Sequence, residues 1–352
     1  MKKIVFLSLF IWLCVASNAQ SLYDTIAVVK HTSIKDQQMS GTCWAFATIS
    51  FIESELIRQG KGKHDLSEMF MVYHAWFNKV EMHLRMQGEN YLTFGGQMHD
   101  VMKVVTQMGL MPESAYGGYT MGPGHDHSLL DTAMIHYVKS IAKLTGPDFA
   151  ENYHAVVDSI LTSHLDHPPG MFQYKGKQHS IESFTSEYYI NPEDYITITS
   201  YTHRPYFEYF VLEDRFNWDA GLYYNLPFDV FMQVVDDALK NGYSLAWDGD
   251  ISESGFSEAK GTAKLDLPEN SDWVKLRQQM YDTHETKVDH VMHVVGKLKK
   301  YTGDEYYLIK NSWGEIGKYD GYILMNTQFF MLKTVALMVH KDALPENVKA
   351  KL

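Results

Sequence analysis

Residues 37–60 read QQMSGTCWAFATISFIESELIRQG, and the fold turns on them. Ala45, Ile49, Ile52 and Leu56 recur at helical spacing, Glu53, Glu55 and Arg58 take the other faces, and Gly60 is placed to stop the helix. Ser40, Gly41 and Thr42 form a short polar approach, which puts Cys43 at or beside the helix N-terminus. Unpaired backbone N–H groups and the positive end of the helix dipole favour a thiolate there. A cysteine used only as a small buried hydrophobe has no need of that position.

The chain has two cysteines, Cys14 and Cys43. Lys2 and Lys3 followed by the apolar stretch Ile4 to Ala16 and by Ser17-Asn18-Ala19 read as a signal peptide over residues 1–19, with cleavage before Gln20. Lipidation at Cys14 is disfavoured by the bulky Leu13 before it. Removal of the signal leaves Cys43 alone, a free thiol with no partner for a disulfide. The protein is therefore expected to be exported, periplasmic or secreted.

Gln37 and the run Ser40-Gly41-Thr42-Cys43-Trp44-Ala45-Phe46 resemble the active-site segment of papain-like cysteine peptidases. Gln37, six residues before Cys43, matches that family's oxyanion-hole glutamine. Ser40 stands where papain has a second cysteine, a departure that points to the bleomycin hydrolase and aminopeptidase C branch. The resemblance implies an α+β, two-lobed papain-like fold, with a helical N-terminal lobe and a mainly β C-terminal lobe.

A cysteine nucleophile needs a base, and the base needs an orienting group. Residues 289–296, DHVMHVVG, form a strand-like run that opens on His290. The strand Tyr306 to Lys310 leads into Asn311-Ser312-Trp313-Gly314. The pair resembles the family's histidine strand and its Asn-Ser-Trp-Gly motif, which implies Cys43 as nucleophile, His290 as base, Asn311 as its orienting acceptor and Trp313 as a cover. His293 is the rival base, but three residues along a strand it faces away from His290. The resting state expected is a thiolate–imidazolium pair.

Cys43 and His290 are 247 residues apart, against ~130–150 in compact relatives. The excess is expected as a central insertion over about 113–222, with helices near 128–145 and 148–166 and then an aromatic-rich strand-and-loop passage. Before it come helices at 65–87, with Asp65 as cap, and at Met98 to Gly109. Gly95-Gly96 would contact the substrate backbone, as the matching pair does in papain relatives. After it, Pro227 starts a helix to Asn241, and Tyr243 to Asp248 opens the β half. His125, His127, His164 and His167 read as solvated loop histidines rather than metal ligands, and Asp248-Gly-Asp250 as a turn.

A formal charge of −12 leaves no basic face for nucleic acid, and no later apolar run is long enough to span a membrane. No metal or cofactor is expected; the expected partners are peptide substrates, with a homo-oligomer left open by the branch's cage assembly. There is no room before Cys43 for an inhibitory propeptide, and the C-terminal arm that in the branch holds a substrate's free N-terminus reads as short. Aminopeptidase activity is thus implied by resemblance, with an open-cleft endopeptidase as the alternative. A non-catalytic binding protein on this fold is a further rival, disfavoured by the four residues in register. An amidase or transglutaminase is another, disfavoured because such relatives place aspartate where Asn311 stands.

Overall fold

The computed structural model describes residues 22–119, 124–144, 153–268 and 270–352. The signal segment expected at 1–19 lies outside the described residues. In chain order the elements are β1 (Tyr23–Val28), α1 (Cys43–Arg58), α2 (Glu68–Arg85), α3 (Met98–Met108), α4 (Ser128–Ile141) and α5 (Tyr153–Leu165). Then come β2 (Met171–Tyr174), β3 (Lys177–Ser180), α6 (Ile181–Glu187), β4 (Tyr195–Thr199), β5 (Tyr209–Val211), β6 (Leu222–Asn225) and α7 (Phe228–Lys240). The last third holds β7 (Leu245–Gly249), β8 (Phe256–Ser257), β9 (Thr262–Ala263), α8 (Trp273–Asp282), β10 (His290–Lys300), β11 (Glu305–Lys310), β12 (Tyr322–Asn326), α9 (Thr327–Lys333), β13 (Thr334–His340) and α10 (Glu346–Lys349).

Helix α1 begins on Cys43, and from Trp44 to Leu56 every residue is buried. Glu53 and Glu55, on the other faces of the helix, are therefore buried with the apolar residues. Glu53 accepts from Lys35 Nζ (3.1 Å) and the Leu66 amide (2.8 Å). Glu55 accepts from Arg58 and from the Tyr195 hydroxyl. Buried charge is tolerated only where such partners reach it. Helix α2 starts three residues later than expected, because the Ser67 hydroxyl caps the Phe70 amide (3.0 Å) while Asp65 pairs with Lys35 (2.7 Å).

The main sheet runs β5-β6-β4-β13-β7-β10-β11-β12-β9-β8, with β1 beside β10. Strand β10 is its spine: residues 290–294 pair with β7, residues 296–300 with β1, and β11 lines the other edge. One face carries Leu245, Trp247, Met292 and Val294 into a core shared with α7 and α9. The other face, through Ala246, Val291, Ala336 and Met338, packs on the helices α1 to α3. The cleft opens at the end of this inter-lobe seam.

The stretch 113–222 is not a separate appendage. Its strand β4 lies between β13 and β6 in the main sheet, with Ile198 opposite Leu337. Its helices α4 and α5 pack beside α2, and its 124–127 loop docks on the loop after Gln37. There the Gln38 Oε1 accepts from the His125 amide (2.5 Å), and the Met39 amide donates to the His125 carbonyl (3.0 Å). His125 and His127 are consequently buried, not solvated, with His125 stacked on Tyr119. No cluster of three His, Cys, Asp or Glu side chains fit to hold a metal occurs among the described residues. Asp248 and Gly249 lie within β7 rather than in a turn.

Candidate active site

Three elements converge at the seam: the start of α1, the start of β10 and the loop after β11. They place Cys43, His290, Asn311, Gln37, Gly95, Gly96 and Trp313 around one spot. All but Asn311 line a cavity of about 180 Å³ together with Gly41, Phe94, Phe216, Val288, Asp289 and Val291. Asn311 sits directly behind His290, its Oδ1 2.8 Å from the His290 Nε2. Amide oxygen accepts, so Nε2 carries the hydrogen and Nδ1 is left as the basic nitrogen on the cavity side.

The ring of His290 lies 4.8 Å from that of Trp313, between centroids, with an angle of 35° between planes. Trp313 thus shields the His290–Asn311 bond, which strengthens it by keeping water away. Asn311 Oδ1 also accepts from the Ser312 amide (2.9 Å), which fixes the carboxamide's orientation. His293 points elsewhere. Its Nδ1 meets the Ser50 hydroxyl at 2.9 Å, two helical turns, or roughly 10 Å, beyond Cys43 along α1.

Gln37 is oriented by Ser312, whose hydroxyl donates to Gln37 Oε1 (2.6 Å). The Gln37 amide in turn donates to the Ser312 carbonyl (2.8 Å). With its oxygen engaged, the Gln37 side chain has only its NH2 group to offer the cavity. That donor and the N–H groups at the start of α1 make a pocket for negative charge beside the sulfur.

The opposite wall is held from behind. The Trp44 indole donates to the Phe94 carbonyl (3.1 Å), and Lys79 Nζ to the carbonyls of Phe94 (3.0 Å) and Gly95 (2.8 Å). A Cβ on Gly96 would stand 2.6 Å from Asp100 Oδ2 and 2.9 Å from the Trp44 ring. One on Gly95 would stand 2.7 Å from the Phe216 ring. The glycine pair is therefore required by packing, whatever else it touches. Gly41 has φ +64, a conformation that favours glycine, and brings the chain against Phe94.

Burial opposes each charge of the expected ion pair. Burial, with a smaller push from nearby Asp248 and Asp289, lifts the Cys43 thiol to about 12 against the pull of amides of Val291 and Trp44. Burial pulls His290 down to about 4, with Asn311 opposing. Desolvation penalises each charged form taken singly, so a thiolate–imidazolium pair here has to be carried by the attraction of the two charges for each other. Sulfur, base, orienting acceptor and oxyanion donors in this arrangement can support attack on a carbonyl carbon. Sequence reading missed the Ser312–Gln37 bond, the Lys79 support and the buried Asp248; only Asp248 left a local sign, as a carboxylate in the apolar run Ser244-Leu245-Ala246-Trp247-Asp248.

Comparison with known proteins gives concordant results. The model of the Peptidase C1-like family matches residues 14–352. Aminopeptidase C of Lactobacillus delbrueckii subsp. lactis is 22% identical over 367 residues, covering 90% of this chain and 81% of that protein. Mitochondrial cysteine proteinase 1 of Saccharomyces cerevisiae is 21% identical over 387 residues, covering 94% of this chain and 79% of its own. The crystal structure of PepW from Lactobacillus rhamnosis HN001 superposes with a TM-score of 0.74 at 20% identity, over 93% of this chain and 84% of that one. That likeness shows the papain-like fold.

Proposed function

The chain belongs to the Peptidase C1-like family and is a cysteine peptidase, and from that premise we propose that it is an exported aminopeptidase working through Cys43, His290, Asn311 and Gln37. The observation that carries the site assignment is the alignment of His290 by Asn311 at 2.8 Å, within the cavity that also holds Cys43. Resemblance to aminopeptidase C supports the exopeptidase choice. The positive start, apolar stretch and small residues of 1–19 support export.

On this reading the Cys43 sulfur attacks the scissile carbonyl as its proton passes to His290 Nδ1, and the carbonyl electron pair moves onto oxygen. The Gln37 NH2 and the Cys43 N–H receive that oxyanion. Collapse of the tetrahedral adduct breaks the C–N bond, and the imidazolium gives its proton to the leaving amine. Water then adds its oxygen to the acyl carbon as its proton goes to Nδ1, and the acyl–sulfur bond breaks with the proton returning from Nδ1 to sulfur, which releases the free acid and restores the Cys43–His290 pair. Asn311 keeps the proton on Nε2 throughout.

The test pairs one peptide bearing a free N-terminus with its N-acetylated twin, incubated with mature protein under reducing conditions. Stepwise release of single residues from the free peptide alone is the expected result. Equal or internal cleavage of the acetylated twin would contradict the aminopeptidase reading and establish an endopeptidase.

A further inference from the structure

Behind the reacting groups, three buried polar side chains that the mechanism does not use meet one another: Ser50, His293 and Lys310. The Ser50 hydroxyl lies 2.9 Å from His293 Nδ1, and Lys310 Nζ donates to the same hydroxyl at 2.7 Å. Having accepted from Lys310, that hydroxyl has its own hydrogen free for Nδ1. Lys310 also donates to the Thr32 hydroxyl (3.1 Å), which donates in turn to Glu53. The ammonium thus reaches a carboxylate only through a hydroxyl.

Each member of the trio stands on the element that carries one member of the site. Ser50 follows Cys43 on α1 by two helical turns, roughly 10 Å along the same face. His293 is on β10, which opens on His290. Lys310 ends β11 directly before Asn311, and it is the cross-strand partner of His293. Helix α1 belongs to the helical layer and both strands to the sheet, so the bonds at Ser50 cross the seam whose end is the cleft. Ser50 and Lys310 also line a cavity of about 10 Å³ together with Asn311 and Ser312. The trio therefore abuts the residues that orient His290 and Gln37, while the Cys43 cavity has none of the three in its lining.

Packing alone does not call for this arrangement. Apolar side chains at the three positions would fill the space with no polar group to desolvate, whereas here an ammonium, a hydroxyl and an imidazole are withdrawn from water. Burial, with the Lys310 charge beside it, keeps His293 unprotonated. Its Nε2 has no partner, so the hydrogen bonding of the ring rests on Ser50. What hydrogen bonds add over apolar contact is direction: an apolar seam tolerates sliding, and a satisfied polar network fixes one register.

We infer that Ser50, His293 and Lys310 are positioning residues, a hydrogen-bonded clamp between α1 and the β10–β11 pair that sets the Cys43 sulfur against His290 and Asn311. The inference rests on the reading of Cys43, His290 and Asn311 as the reacting site and adds three residues to it. The clamp touches neither substrate nor reacting atoms. It acts through rigid elements: a slip of α1 at Ser50 is carried along the helix to the sulfur, and a displacement of about 1 Å there costs about 10²-fold in rate. The Gly95-Gly96 wall lies on none of the three elements, so peptide binding is left largely unchanged.

Ser50→Ala removes the central hydroxyl. Ser50→Thr keeps it, and the adjoining cavity, about the size of one water, has room for the added methyl. Turnover of one peptide and alkylation of Cys43 by iodoacetamide are measured on mature protein well below the Tm of each variant. In Ser50→Ala both rates should fall, kcat by roughly 10–10²-fold, with KM little changed. Alkylation needs no peptide, so its parallel fall reports the sulfur–imidazole geometry. Ser50→Thr should restore both rates. His293→Leu should slow kcat as Ser50→Ala does, and the double variant should be no slower than the worse single one, because the network acts as a unit. Wild-type rates in folded Ser50→Ala, even at a lowered Tm, or a Ser50→Thr enzyme as slow as Ser50→Ala, would overturn the inference. Cys43→Ala run alongside separates it from its premise: an active Cys43→Ala protein removes the reacting site, whereas an inactive one beside a fully active Ser50→Ala removes only the clamp.

Discussion

Ser312 holds Gln37 by two hydrogen bonds, hydroxyl to Oε1 at 2.6 Å and carbonyl from the Gln37 amide at 2.8 Å. The loop behind the histidine is thereby tied to the loop that carries the oxyanion donor, and the same residue's amide meets Asn311. Replacing Ser312 by Ala frees the Gln37 carboxamide to rotate. The expected result is a fall in kcat, with KM little changed, smaller than the ~10²–10³-fold fall expected for Gln37→Ala. Steady-state kinetics on one peptide amide checks both. A Gln37→Ala enzyme as active as wild type would remove the oxyanion role.

Asn311 is the one group raising the His290 pKa against desolvation. Because His290 is held down to about 4, the neutral base persists well below the ordinary histidine value of about 6.5. The acid limb of kcat/KM should accordingly lie below pH 6. Asn311→Ala should cut kcat by about 10²-fold or more through loss of the tautomer. An acid limb at 6.5 or above in the wild type would contradict this lowering of His290.

Lys35 sits two residues before Gln37 and meets Glu53, Asp65 and Glu68 at 3.1, 2.7 and 2.6 Å. Burial lifts the Glu68 carboxyl to about 8 even beside this cation, so one positive charge serves two buried acids. Lys35→Met should destabilise the fold by about 3–5 kcal/mol, the range for breaking a buried pair, and chemical denaturation measures it. A loss under 1 kcal/mol would show that the network is replaceable.

Stability should also fall as pH rises from 6.5 to 8. Burial raises Glu68 to about 8 and Glu113 and Asp131 to about 7. The fold keeps these protons where the unfolded chain has lost them, so their contribution is full at low pH and disappears as pH climbs through 7 to 8. His74, His125, His127 and His290, each lowered to about 4, have the opposite sign but act only between pH 4 and 6.5. Lys79 and Lys310, lowered to about 8, act only above that value. A Tm that holds or rises between pH 6.5 and 8 would contradict this balance.

Much of the site was legible because its parts are locally patterned. The polar approach before Cys43, the strand opening on His290 and the strand ending in Asn311 each state their geometry within about ten residues. What escaped depends on partners far along the chain. Strand β4, Tyr195–Thr199, is buried along its whole length, but its place in the main sheet comes from β13, some 140 residues later. Glu53 is placed by its spacing only on another face of α1, and its burial depends on Lys35, eighteen residues earlier, which pairs with it. His125 and His127 sit in a polar stretch and are buried because Gln38, Met39 and Tyr119 close over their loop.

The most direct test compares turnover of one free-N-terminus peptide by wild type and Cys43→Ala, each shown by thermal unfolding to be folded. Loss of roughly 10³-fold or more in kcat, at an unchanged Tm, is the predicted result. Retention of activity within tenfold of wild type would mean that the Cys43 sulfur is not the nucleophile.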